Sequence, residues 1–98
     1  MVIEIKNKRN YSGPGVYCGR PTPLGNRFTM TNESQRDWAC DQYKTWFDQQ
    51  VEQKTPPVMK MLDSLVRQYK ATGSLILICW CAPLRCHTET IRDYVLKS

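Results

Sequence analysis

The stretch Ser74-Leu75-Ile76-Leu77-Ile78-Cys79-Trp80 carries no alternation of polar and apolar residues. A strand with one wet face repeats with period two, so an unbroken apolar run bounded by turn residues predicts a strand buried on both faces, as in a parallel sheet covered by helices. From Leu75 to Cys81 the run is about seven residues, far short of the roughly 20 that cross a bilayer, so no membrane partner is expected. With 98 residues there is length for one core, and this strand, over about 75–80, belongs at its centre.

The flanking segments supply the layers around it. Val2, Ile3 and Ile5 predict a first short strand, and Val16-Tyr17-Cys18 a second, with Asn10 to Gly15 as turn chemistry between them. Ser34 followed by Asp37 reads as a helix start, and Ala39, Tyr43, Trp46, Phe47 and Gln50 trace one buried face of a helix over about 34–53. Pro56 and Pro57 suit the first turn of a second helix over about 56–72, with face Val58, Leu62, Leu65, Val66 and Tyr69 and with Gly73 as its left-handed stop. Ile91, Tyr94 and Val95 place one stripe on a third helix over about 88–97. The expected fold is a small single α/β domain with a short, mostly parallel sheet covered by three helices. An antiparallel hairpin of the first two strands is the alternative arrangement.

The formal charge of +5 favours anionic partners such as nucleic acid, nucleotides or phosphorylated metabolites. The basic residues are dispersed, with only Lys6, Lys8 and Arg9 clustered, so no basic arm of the nucleic-acid-binding kind is present. Five cysteines, an odd number, behind an amino-terminal segment that alternates like a strand rather than a secretory leader, predict a cytoplasmic protein with thiols instead of disulfides.

Ligands of open α/β sheets bind where strands end and helices begin, and the turn Cys79-Trp80-Cys81-Ala82-Pro83-Leu84-Arg85-Cys86-His87 occupies that position. Three readings are open. Cys79, Cys81, Cys86 and His87 are the right ligand types for a zinc site, although their spacing departs from the usual paired claws. Alternatively, His87, Thr88 and Glu89 hold a phosphate or similar oxyanion at the helix start, with Cys86 as a nucleophile and His87 or Glu89 as its acid or base. In the third reading the cysteines and Trp80 pack as core and His87 caps the helix. No cofactor is required by the second and third.

A second motif, Gly19-Arg20-Pro21-Thr22-Pro23-Leu24-Gly25-Asn26, is too rich in proline and glycine for regular structure and reads as an ordered functional loop. Together with the Cys79–His87 turn it resembles the family of short phage and bacterial proteins catalogued as domain of unknown function 4326, which pairs a G-R-x-x-P-L-G-N loop with a late C-W-C-x-P-x-x-C-H turn. The resemblance implies an α/β fold and a cytosolic protein, in the host cytoplasm where a phage encodes it, and implies no particular reaction. It also implies that Arg20 and Asn26 share a sheet edge with Cys86 and His87, Arg20 as a clamp for phosphate or carboxylate and Asn26 as an orienting amide or turn residue. Two departures stand out: Thr88-Glu89 where the family commonly has glycine and an acid, and Arg27 where it commonly has proline, which adds a guanidinium near the loop. The expectation is a pocket for a nucleotide or nucleotide derivative, with base- or nucleotide-modifying activity as the enzymatic form of that reading. A non-enzymatic phage factor that binds a host protein, a nucleic acid or a signalling nucleotide is the competing class, and a small zinc-binding domain the third.

Overall fold

The computed structural model describes residues 2–28, 32–80 and 85–98. Among them are three strands, β1 (Val2–Asn7), β2 (Val16–Tyr17) and β3 (Ser74–Cys79), and three α-helices, α1 (Arg36–Gln53), α2 (Pro56–Thr72) and α3 (Thr88–Lys97). The strand order is β1-β3-β2, and both outer strands run parallel to β3. The apolar run is therefore the central strand, and the first two strands form no hairpin: they never pair with each other. β1 pairs with β3 from Val2 opposite Ser74 to Asn7 opposite Cys79, while β2 meets only Leu77 and Ile78.

The two faces of β3 are covered by different means. Leu75 and Leu77 join the helix residues Tyr43, Phe47, Val58, Leu62, Leu65, Tyr69, Ile91 and Val95 in one buried cluster. At about 1.5–3 kcal/mol for each fully buried side chain of this kind, that cluster is the main source of stability. Ile76 and Ile78 alternate to the other face, where the connection between β1 and β2 lies across them. A Cβ on Gly15 would come within 2.8 Å of Ile78 Cδ1 and 3.0 Å of Ile76 Cγ2, so glycine is what lets this backbone lie against the strand. The strand is covered on both sides as its sequence predicts, but a loop takes part of the work expected of helices.

The helix boundaries follow local chemistry. α2 begins at the Pro56-Pro57 pair and ends at Gly73, whose φ of 75° and N–H bond to the Tyr69 carbonyl close the last turn. The start of α1 differs from the expectation at Ser34: Asn32 Oδ1 accepts from the Ser34 N–H at 3.0 Å, and a 3-10 turn over Glu33–Gln35 leads into the helix at Arg36. Asn32, extended at φ −155°, is the better cap because its carboxamide reaches an N–H two residues on. No described helix is long and apolar enough to cross a membrane.

Candidate functional site

All three strands are parallel, so their carboxyl ends deliver three connections to one edge of the sheet: the turn after β1, the Gly19–Phe28 loop after β2, and the turn that leads from β3 into α3. Between the second and third lies a cleft of about 350 Å³, lined by Arg20, Asn26, Arg36, Trp80, Cys86 and His87, with Phe28, Ala39, Cys40 and Arg85 around them. Arg20, Asn26, Cys86 and His87, brought together on paper from two distant motifs, thus face one space.

The loop wall is built on backbone hydrogen bonds. Thr22 N–H and its hydroxyl both donate to the Gly19 carbonyl, at 2.9 and 2.6 Å, and Gly25 N–H donates to the Thr22 carbonyl at 2.9 Å. A Cβ at Gly25 would lie 2.9 Å from the Arg20 nitrogen, so this fold-back admits only glycine. Leu24 points inward and is fully buried, and the Tyr43 hydroxyl, from α1, donates to its carbonyl at 2.8 Å. Burial pushes the Tyr43 phenol well above its ordinary range, which keeps it a donor. Asn26 Oδ1 accepts from the Phe28 N–H at 2.8 Å, so Asn26 makes a turn and lines the cleft at once.

The opposite wall belongs to α1 and to the residues before α3. Arg36 binds Glu33 through two nitrogens and donates from Nη1 to the Arg85 carbonyl at 3.0 Å. Arg85 in turn donates to Asp37 Oδ1 at 3.0 Å and to Asp41 Oδ1 at 2.8 Å, and these carboxylates raise its pKa further above its already high range. Neither contact is visible in the linear sequence, because each joins residues more than 40 positions apart across two elements. Arg36, Cys40 and Phe28 are cleft residues that the sequence reading did not single out, and Arg85 entered it only as a member of the Cys79–His87 turn; the cationic residue in the first turn of α1 is the one signal available for Arg36.

At the floor sits His87. Its Nε2 lies 2.7 Å from the Cys18 carbonyl, which can only accept, so Nε2 carries the proton. Nδ1 then faces Cys86 Sγ at 3.4 Å. The ring packs edge-on against Tyr43 with centroids 5.0 Å apart, and burial, assisted by the Arg20 charge, holds the pKa of His87 below its usual value. The imidazole is accordingly neutral near pH 7. Cys18, buried beside Cys79, has its thiol pushed up to about 12 and is inert as a nucleophile.

The remaining candidates are placed as follows. Thr88 is fully buried and Glu89 is not among the residues that line the cleft: its Oε2 accepts from the Cys86 N–H at 3.3 Å. Arg27 stacks its guanidinium over the Trp46 ring, 4.7 Å from the centroid, outside the cleft lining. Trp80, read as a core residue in one of the three sequence readings, is instead 52% exposed and stands at the cleft, its Nε1 donating to the Tyr17 hydroxyl at 3.0 Å. An apolar run without alternation gives no sign of where burial ends, and here it ends one residue early. Of the four zinc candidates, Cys81 lies outside the described residues; among the described residues no group of three or more His, Cys, Asp or Glu could hold a metal ion.

No curated protein and no solved structure was found to match the chain. The family model described as Domain of unknown function (DUF4326) matches residues 3–97, which takes in both walls of the cleft as well as the sheet and helices that carry them, and the chain belongs to that family.

Proposed function

We propose that this protein binds a small phosphorylated ligand, a nucleotide or nucleotide derivative, in the cleft between the Gly19–Asn26 loop and the start of α3. The observation that carries the reading is the pairing of cations. Arg85 and Arg36 are neutralised and held by carboxylates on α1 and the turn before it, whereas Arg20 pairs with no carboxylate among the described residues and lines the same cleft. A guanidinium placed at a cleft without a counterion supplies the planar donor fork that phosphate oxygens match. Trp80 and Phe28 offer aromatic surface beside it, suited to the base of a nucleotide. A volume of about 350 Å³ is at the small end of ligand sites, which favours a mononucleotide over a dinucleotide. Buried thiols at Cys18, Cys40, Cys79 and Cys86 suit a reducing compartment, and we assign the protein to the cytoplasm.

Thermal-shift measurements against mononucleotides and inorganic phosphate test this. A ligand present at a hundredfold excess over its Kd is expected to stabilise the fold by about 2.7 kcal/mol. Arg20→Ala should abolish most of that gain without lowering the melting temperature of the unliganded protein. If no nucleotide stabilises the wild type, or Arg20→Ala gains as much as the wild type, the reading is wrong.

A further inference from the structure

Cys86 and His87 are arranged as more than two lining residues. A thiol becomes a useful nucleophile when a base takes its proton and a third group fixes the base, and all three parts are here. The Cys18 carbonyl, at 2.7 Å from Nε2, leaves the lone pair of the imidazole on Nδ1, and that nitrogen is the one 3.4 Å from Cys86 Sγ. The ring is held on its other side by Tyr43, which also fixes the loop through Leu24. Glu89, the other acid or base that the sequence offered, is tied to the Cys86 N–H. Among the described residues that leaves His87 as the base. Among the described residues, the charged and titratable groups that face it are Cys18 and Arg20 from the β2 side, Cys79 from β3, Tyr43 from α1 and Cys86 itself.

We infer that Cys86 is a nucleophile activated by His87 Nδ1, acting on an electrophilic carbon of an anionic substrate that carries a leaving group. The anionic part of this inference rests on the ligand reading above. In the first step the Cys86 Sγ–H bond breaks and its proton moves to Nδ1 while sulfur forms a bond to the substrate carbon. The bond from that carbon to the leaving group breaks, the electron pair departs with the leaving group, and the proton on Nδ1 goes to it. Water then attacks the same carbon, Nδ1 takes a proton from the water, and the carbon–sulfur bond breaks with sulfur recovering that proton. No oxidant or reductant enters. Arg20 and the Asn26 carboxamide NH2, left to donate because its oxygen is bound to Phe28, would hold the substrate's negative charge.

Alkylation rates resolved cysteine by cysteine, read by peptide mass spectrometry of the intact folded protein, test the proposal. Cys40 is the internal control, because it lines the same cleft and is 6% exposed against 3% for Cys86. With iodoacetamide, Cys86 is expected to react at least about tenfold faster than Cys40, since a positioned base contributes about 10² or more. His87→Gln, whose amide still donates to the Cys18 carbonyl, should bring the Cys86 rate down to that of Cys40 and leave Cys40 unchanged. Equal rates at Cys86 and Cys40 in the wild type overturn the nucleophile, and this arm stands even where His87→Gln fails to fold. A Cys86 rate unchanged in folded His87→Gln removes the base. Anionic iodoacetate separates the two ideas: it should be favoured over iodoacetamide at Cys86, and Arg20→Ala should lower that preference about three- to tenfold. Fast Cys86 labelling with no preference for iodoacetate keeps the activated thiol and overturns its action on an anionic substrate.

Discussion

The two walls of the cleft are built from different interactions. The Gly19–Phe28 loop is fixed by neutral hydrogen bonds, among them one from the buried Tyr43 hydroxyl to the Leu24 carbonyl, and by a leucine inserted in the core. The facing wall, at Arg36 and Arg85, is fixed by ion pairs whose carboxylates lie in solvent: Asp37 is 82% and Asp41 67% exposed. Buried neutral bonds are insensitive to salt and costly to leave unmade, whereas exposed pairs are screened and each contributes little. The loop wall is thus the rigid template, and the arginine wall is the one able to adjust to what enters.

Three substitutions sharpen that contrast. The largest effect is expected from Leu24→Ala, which empties a fully buried site and should cost about 2–5 kcal/mol in denaturant unfolding. A cost under 1 kcal/mol would mean that the loop is not seated in the core. Next is Tyr43→Phe, which keeps the ring against His87 and leaves the Leu24 carbonyl buried without its donor, at a cost of about 1–3 kcal/mol that is the same in low and high salt. A salt-dependent loss would break the comparison. Arg85→Ala should cost least, no more than about 1 kcal/mol in dilute buffer and close to nothing at about 1 M salt, where screening acts over only a few ångströms. An undiminished loss in high salt would place this wall with the rigid one.

The sequence carried the fold further than the site. Pro56-Pro57, the apolar face that follows and Gly73 bound α2 at both ends because each acts within a turn of its own position. The central strand is legible from composition, since only burial on both faces tolerates five apolar residues in a row. Its neighbours are legible as strands at residues 2–5 and 16–18, but their pairing is not: β2 has two paired residues, and the order β1-β3-β2 is set by packing over the whole chain. At the site, the proline-glycine loop announces ordered backbone but it is the family resemblance that points to Arg20 and Asn26, while Cys86 and His87 are legible because they follow a strand. Arg36 is not legible because an arginine in a helical segment looks the same whether it faces solvent or grips a carbonyl on another element, and the ion pairs of Arg85 are not because their carboxylates lie more than 40 positions away. The Cys18 carbonyl could not have been found, because a backbone acceptor has no sequence signature.

The parallel sheet also decides how the protein can be attached to other things. Val2 N–H bonds to the Gly73 carbonyl at the edge of the sheet opposite the cleft. A surface tether joined ahead of β1 therefore emerges at the edge away from the cleft, and the protein can be immobilised through it while Arg20 and Trp80 stay turned to the solution.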